Sequence, residues 1–497
     1  MSIRNMRKYI IAGLVAAFLS GCENLLDKDP LASLSVASGD LTADDAMKAL
    51  SAAYNPLYNY PGYDGYSIYD MVADNALKGG EGPSDGAYFN EFANFTIPTT
   101  NTVAMQVWRN SYLGIFRTHL VLENVPGIEM NEAAKSRILA EAKFLRAYYY
   151  FILVTLFGDV PLIETSMVKT AEVTRNPKAD VYRLIESDLN EAINVLPLRS
   201  SMPASENGRI TKGAAQAYLG KVYLYKGDFV NAEKWFKTVM DSGEYRLVDD
   251  FPSLFTLAGE FGPENIFEIN HTYSAQYLVA RNLGHIRQGS AGMYGYGFAN
   301  PTQDLVDEFE PGDPRLWQTI YKQGDVMPDG KIADVGNSET GYMNKKAYLR
   351  ASDFPPTGDP AHSARNEIKL RYGMLLLWHA ESANENGNIV AALASLNEVR
   401  RRARQGNNDV LPEVTVTSKE ELREAIYHEQ RVEYAMENHR FFDLVRQGRA
   451  GKVLRAYAEK YNTVKGKNFI DGINEVLPIP QAEIDDSQGR LEQNFGY

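Results

Sequence analysis

The stretch KGAAQAYLGKVYLYKGDFVNAEKWFKTVMDSG, residues 212–243, reads as two helices placed back to back. Ala217, Leu219, Gly220 and Tyr223 mark one face of the first helix. Ala232, Phe236 and Val239 mark one face of the second, and Gly227-Asp228 is the turn between them. Gly220 and Ala232 are small enough to let the helices approach; Leu219, Tyr223 and Phe236 fill the space around them. These offsets are the tetratricopeptide pattern. One such unit cannot bury its own face, so further units are expected.

A second unit stands at 372–403, YGMLLLWHAESANENGNIVAALASLNEVRRRA. Gly387-Asn388 repeats Gly227-Asp228 at the same offset that brings Ala380 onto Gly220. Ala392, Leu396 and Val399 then repeat Ala232, Phe236 and Val239. Working outward, helical spacing also marks 43–54, 105–125, 132–157, 179–196, 418–435 and 438–455. The 132–157 and 179–196 segments read as a stretched first pair, and Ser418 with Glu421 forms a capping pattern.

Two stretches break the pattern. Residues 55–102 are poor in helical period and rich in Gly, Pro, Tyr and Asn. Residues 245–364 separate two units that would ordinarily stack directly. Loops of that length inside a helical architecture are usually functional. The expected fold is therefore mostly α: a tetratricopeptide-like scaffold at 132–243 and 365–455, with long irregular Tyr/Gly-rich inserts at 55–102 and 245–364 and a few short strands.

The net charge of −13 argues against a nucleic-acid partner, because phosphate binding needs a basic face. The 30 Tyr and 39 Gly are a pairing found in recognition surfaces. With one Cys, no intrachain disulfide forms. Arg4, Arg7 and Lys8, a short apolar run and then Leu19-Ser20-Gly21-Cys22 read as a signal peptide over 1–21. The ending is similar to a bacterial lipobox, so Cys22 is the expected site of lipid attachment, followed by a tether over 22–40 and a single domain over 22–497.

No catalytic signature stands out. The seven His form no HExxH, and there is no GxSxG elbow. The expectation is a protein that is not an enzyme and carries no cofactor. Asp325, Asp329 and Asp334 around Gly330 are candidates for a structural calcium but lack full loop spacing, and a solvated acidic loop is the alternative.

Several stretches together resemble the SusD/RagB family of surface lipoproteins from Bacteroidetes. They are the lipobox at Cys22; EAKFLRAYYYFILVTLFGDVPLI at 141–163; GRITKGAAQAYLGKVYLYKGDFVNAEKWFKTVMDSGEYRL at 208–247; IFEI at 266–269; NEIKLRYGMLLLWHAES at 366–382; LNEVRRRAR at 396–404; EQRVEYAMENHRFFDLVRQGR at 429–449; and LPIPQAEID at 477–485. The terminal QNFGY carries Phe495 where the family's QNPGY has Pro. The resemblance implies four tetratricopeptide-like units with an irregular ligand-facing half. It also implies an outer-membrane, cell-surface protein that binds a glycan and acts as the lid of a SusC-type TonB-dependent transporter. The RagB-like branch handles peptides, so peptide capture is one alternative. A transporter-associated scaffold without its own ligand site is another.

A glycan site needs flat aromatic faces for sugar C–H surfaces and amides, carboxylates or Arg for the hydroxyls. The first insert offers Tyr63 and Tyr66 about a turn, then Asp70, Asp74, Asn75 and Tyr88; Asp74 and Asn75 are also similar to family framework. The second offers Tyr277, Arg287 and GSAGMYGYGFANP at 289–301. If that run is a strand, Tyr294, Tyr296 and Phe298 fall on one face, toward either a ligand or the core. Trp317 is a further candidate, whereas Trp108, Trp235 and Trp378 read as packing residues.

Overall fold

The computed structural model describes residues 41–58, 65–168, 172–273 and 281–497, excluding the side chains of 65–67. Its frame is a run of helices, each packed on the next: Ala43–Tyr54, Thr102–Asn124, Glu132–Phe157, Lys178–Val195, Lys212–Lys226 and Phe229–Asp241. Phe229–Asp241 then packs directly on Tyr372–Glu385, which is followed by Ile389–Ala403 and Lys419–Glu433. The two units that the second insert separates in sequence are thus neighbours in space.

The turn chemistry of the two units is the same. Gly227 and Gly387 take φ of 72° and 79°, the left-handed region that ends a helix. Asp228 and Asn388 then cap the next helix, accepting from the N–H of Asn231 and Ala391. The core positions Ala232, Phe236, Val239, Ala392, Leu396 and Val399 are all fully buried. A Cβ at Gly220 would lie 2.7 Å from the Phe236 ring, so the close approach requires glycine. Phe236 and Trp378, with ring centroids 5.9 Å apart, join one unit to the other. Trp108 is likewise buried in the core, and Trp235 packs against it.

Three two-stranded antiparallel sheets tie the inserts down. Asn265–Ile269 pairs with Glu367–Arg371 and closes the base of the second insert against the repeats. Ala76–Gly79 pairs with Phe298–Pro301, joining the first insert to the second. Ile320–Lys322 pairs with Tyr342–Asn344 inside the second insert. That insert has a small core of its own, built on Tyr321, Met327, Ala333, Val335, Met343 and Tyr348.

Two expectations change. The first insert is not devoid of helix: Gly65–Val72 and Ala87–Ala93 are short helices whose pattern is too brief to register as a period. The 438–455 segment is two helices, Arg440–Arg446 and Ala450–Lys460, because Gly448 between them adopts φ 67°. Among the described residues, no helix is long and apolar enough to cross a membrane.

Candidate functional site

The segments that break the helical pattern converge on one platform. The Gly80 N–H donates to the Gly297 carbonyl at 2.9 Å, and Asn337 Nδ2 donates to the Gly80 carbonyl at 3.0 Å. Gly79 N–H donates to Glu339 Oε1 at 3.1 Å, and Glu339 N–H to Asn300 Oδ1 at 3.0 Å. Beneath this junction Lys78 Nζ donates to the carbonyls of Gly79, Gly82 and Asp85, fixing the 79–86 loop. The platform continues through Ser338, whose hydroxyl donates to the Tyr342 carbonyl at 2.8 Å. Tyr342 stands opposite Lys322 across the hairpin, and the Lys322 ammonium lies 4.3 Å from the centroid of the Trp317 ring.

Two large aromatic side chains are exposed on this assembly: Tyr296 at 47% and Trp317 at 41%. Both sit on anchored backbone. The Tyr296 N–H donates to the Ile286 carbonyl at 2.8 Å, and Lys345 Nζ donates to the Trp317 carbonyl at 2.9 Å. Exposed rings on an ordered backbone lose little entropy when a ligand stacks on them.

The strand expected to align Tyr294, Tyr296 and Phe298 begins only at Phe298. The residues before it form a folded loop in which Gly297 N–H donates to Gly289 O, and Tyr294 and Gly295 both donate to Ser290 O. A Cβ at Gly295 would lie 2.2 Å from the Gly289 carbonyl oxygen, so glycine is needed for this backbone approach and not to admit a ligand. The three rings therefore diverge. Tyr294 turns into the insert's small core between Tyr348 and Phe354, its hydroxyl accepting from the Leu349 N–H at 2.7 Å. Phe298 is buried edge-to-face on Phe89. Tyr296 alone stays outside.

Asp70, Asp74 and Asn75 are buried and serve the framework. Asp74 is gripped by Arg440 at 2.9 and 3.0 Å and by Arg431 at 3.0 Å. Burial works against its charge, but the two guanidiniums hold its carboxyl well below the usual range. Asp70 accepts from Asn75 Nδ2 and the Asn438 N–H, and burial pushes it up to about 6. Asn75 also accepts from Arg431. Their polar groups are spent tying the first insert to the 419–446 helices.

Tyr88 is half-buried on Phe89, with ring centroids 4.5 Å apart, and Arg287 is half-buried on the Gly284–Gln288 helix. Tyr66 lies on the Gly65–Val72 helix, its side chain outside the described residues; Cys22, Tyr63 and Tyr277 lie outside them altogether. The aspartates proposed around a calcium point to separate partners. Asp325 accepts from the Lys322 N–H, Asp329 from Tyr348 and the Ala351 N–H, and Asp334 from the Gly336 N–H. Among the described residues no group of three or more His, Cys, Asp or Glu is placed to hold a metal. Asn337, Glu339, Lys322 and Tyr342 carry no signal in the sequence, whereas the Gly79-Gly80 pair is by itself a turn signal.

A family model described as "SusD family" matches residues 263–497, and one described as "Starch-binding associating with outer membrane" matches residues 48–224. SusD-like protein P2 of Formosa agariphila is 26% identical over 520 residues, covering 99% of this chain and 100% of its own. A laminarin-binding SusD-like protein of known structure is 31% identical, with a TM-score of 0.79 over 92% of this chain and 100% of its own. Surface glycan-binding protein A from Bacteroides fluxus is 25% identical, with a TM-score of 0.77 over 92% and 100% of the two chains.

Proposed function

The chain belongs to the SusD family, and on that premise we propose that it captures a glycan at the outer-membrane surface and passes it to a SusC-type TonB-dependent transporter, over which it closes as a lid. Lipid on Cys22 anchors it, and the protein itself breaks no bond. The observation that carries the reading is the platform bearing Tyr296 and Trp317, two flat exposed rings with amide, carboxylate and ammonium groups close by. Stacked rings with nearby hydrogen-bonding groups suit a pyranose, which presents C–H faces and equatorial hydroxyls. The names of the relatives, one binding laminarin and another called a surface glycan-binding protein, support the same ligand class.

The test is calorimetry of the full mature chain against a panel that begins with laminarin and starch. The combined Tyr296→Ala and Trp317→Ala substitution is expected to weaken the bound glycan by more than about tenfold, with unchanged circular dichroism. Undiminished affinity in that variant would overturn the site. Cys22→Ala is expected to leave the protein out of the outer-membrane fraction; retention there would remove the lipid anchor from the reading.

A further inference from the structure

A cavity of about 100 Å³ lies where the second insert meets the Glu367–Arg371 strand and the turn at 436–438. At roughly 30 Å³ per water, it holds about three waters or a molecule of a few heavy atoms, and a pyranose exceeds it. Four carboxylates stand on its wall: Glu260, Glu268, Glu367 and Glu437. Glu437 is paired with Lys346 at 2.6 Å, and Glu367 with Lys369. Glu260 and Glu268 are bridged by Asn366 instead. Its N–H donates to Glu260 Oε1 at 2.7 Å and its Nδ2 to Glu268 Oε2 at 3.4 Å. Glu268 also accepts from the Phe261 N–H and Asn265 Nδ2, so among the described residues both carboxylates have amide partners and no salt bridge.

The cations on the wall are already committed. Every N–H of the Arg365 side chain is used, on His285 and on the carbonyls of Phe255, Tyr348 and Lys346. Lys346 donates to the Glu433 carbonyl and to Glu437. The open groups are acceptors: Asn438 Oδ1 and Glu367 Oε2 are buried without a hydrogen-bond partner. Buried acceptors left unpaired are costly. Charge is out of balance as well. Set against the one guanidinium of Arg365, Glu260 and Glu268 leave a negative charge over. Burial accordingly pushes both carboxyls up, that of Glu268 to about 7.

We propose that this cavity is a second binding site, separate from the glycan platform, which takes a small primary ammonium compound. An ammonium group brings three N–H donors, one positive charge and no acceptor. It therefore answers both the unpaired acceptors and the surplus negative charge. An anion meets repulsion from Glu260 and Glu268. A neutral alcohol supplies a single donor and leaves the charge uncompensated. A metal ion finds no group of three or more His, Cys, Asp or Glu placed to hold it among the described residues.

The experiment titrates the full mature chain with ethylammonium, ethanol and acetate, read by saturation-transfer NMR. Salt at about 0.15 M screens the surface carboxylates. Ethylammonium is expected to bind with a dissociation constant of about a millimolar, near the limit for a ligand of three non-hydrogen atoms. Ethanol and acetate are expected to bind at least about tenfold more weakly. Glu260→Gln keeps an acceptor for the Asn366 N–H and removes the charge. It is expected to weaken ethylammonium by at least about tenfold and to leave the affinity for glycan unchanged. Glu268→Gln is expected to act alike, and it decides where Glu260→Gln does not fold. The proposal is overturned if ethanol binds as tightly as ethylammonium, or if a natively folded variant keeps the parent's affinity. Absence of ethylammonium binding at about ten times the expected dissociation constant would overturn it too. A parallel loss of glycan affinity in Glu260→Gln would make the cavity part of the glycan site and overturn its separateness.

Discussion

In the 212–241 unit, Gly220 lies under the Phe236 ring and Ala232 and Val239 close the space around it, all without a charged group. The junction of the second insert with the repeats is built the other way. Arg315 of the insert, fully buried, reaches Asp313 at 2.8 Å, Glu429 at 2.5 Å and Glu433 at 3.0 Å. Arg371 meets Glu433 at 2.7 Å and Glu264 at 3.0 Å, and Arg402 contacts the same two carboxylates. The 212–241 helices meet by shape; the insert is held to the later helices by paired buried charges, which also run between those helices, as Arg402–Glu433 and Arg400–Glu429 do. Shape complementarity repeats wherever the sequence repeats. A charge network needs each partner once, from segments far apart, and fixes an irregular chain in one arrangement.

The largest effect should come from breaking the charged junction. Glu433→Gln leaves Arg315, Arg371 and Arg402 short of a counter-charge in a buried site and is expected to cost about 3–5 kcal/mol of stability. Urea denaturation measures it, and a loss under 1 kcal/mol would mean that the network does not hold the insert. Next comes the packed junction. Gly220→Ala pushes a methyl into the Phe236 ring and should cost about 1–3 kcal/mol, although alanine is the better helix former. A neutral result would show that the two helices separate easily.

A third test separates the two kinds of junction by pH. His428 lies between Glu308 at 2.8 Å and Glu310 at 3.5 Å. Burial opposes its charge, but the two carboxylates raise it to about 9 from its ordinary 6.5. Glu308 resists burial through His428 and Arg431, and Glu310 is drawn down first by its hydrogen bond to His428; both fall to about 2 from 4.5. The raised imidazole contributes stability that is complete below pH 6.5 and lost as pH rises through about 9. The depressed carboxylates contribute stability that is complete above pH 4.5 and lost as pH falls through about 2. The stability gap between the parent and His428→Gln should therefore peak between about pH 4.5 and 6.5. Denaturation across pH 3–9 measures it, and a gap that does not vary with pH would remove these charges from the junction. The smallest effect is expected at the platform: Tyr296→Ala and Trp317→Ala should each change stability by less than about 0.5 kcal/mol while altering ligand affinity.

The same contrast explains what could be read in advance. The Ala43–Tyr54 and Glu132–Phe157 helices follow the spacing to the residue, and Gly227-Asp228 reveals its turn without any tertiary information. Asp70 and Asp74 looked like ligand contacts because carboxylates beside tyrosines serve that purpose in many sites. Their partners Asn438 and Arg440 come from the far end of the chain, and no local pattern connects them. Tyr294 and Tyr296 are equivalent in a period-two reading. The loop fold separates them, sending one hydroxyl to the Leu349 amide and leaving the other ring in solvent.

The sequence by itself determined the helical frame and the position of the inserts that interrupt it. Small and large residues at helical offsets act within one turn or on the adjacent helix, so that information is local. The tertiary structure alone decided that the two interrupted units stack directly, that Asp70 and Asp74 are framework and that Tyr296 and Trp317 remain exposed. Burial depends on which distant segments arrive to cover a side chain, and in the inserts those segments are positioned by single contacts that repeat nowhere else in the chain.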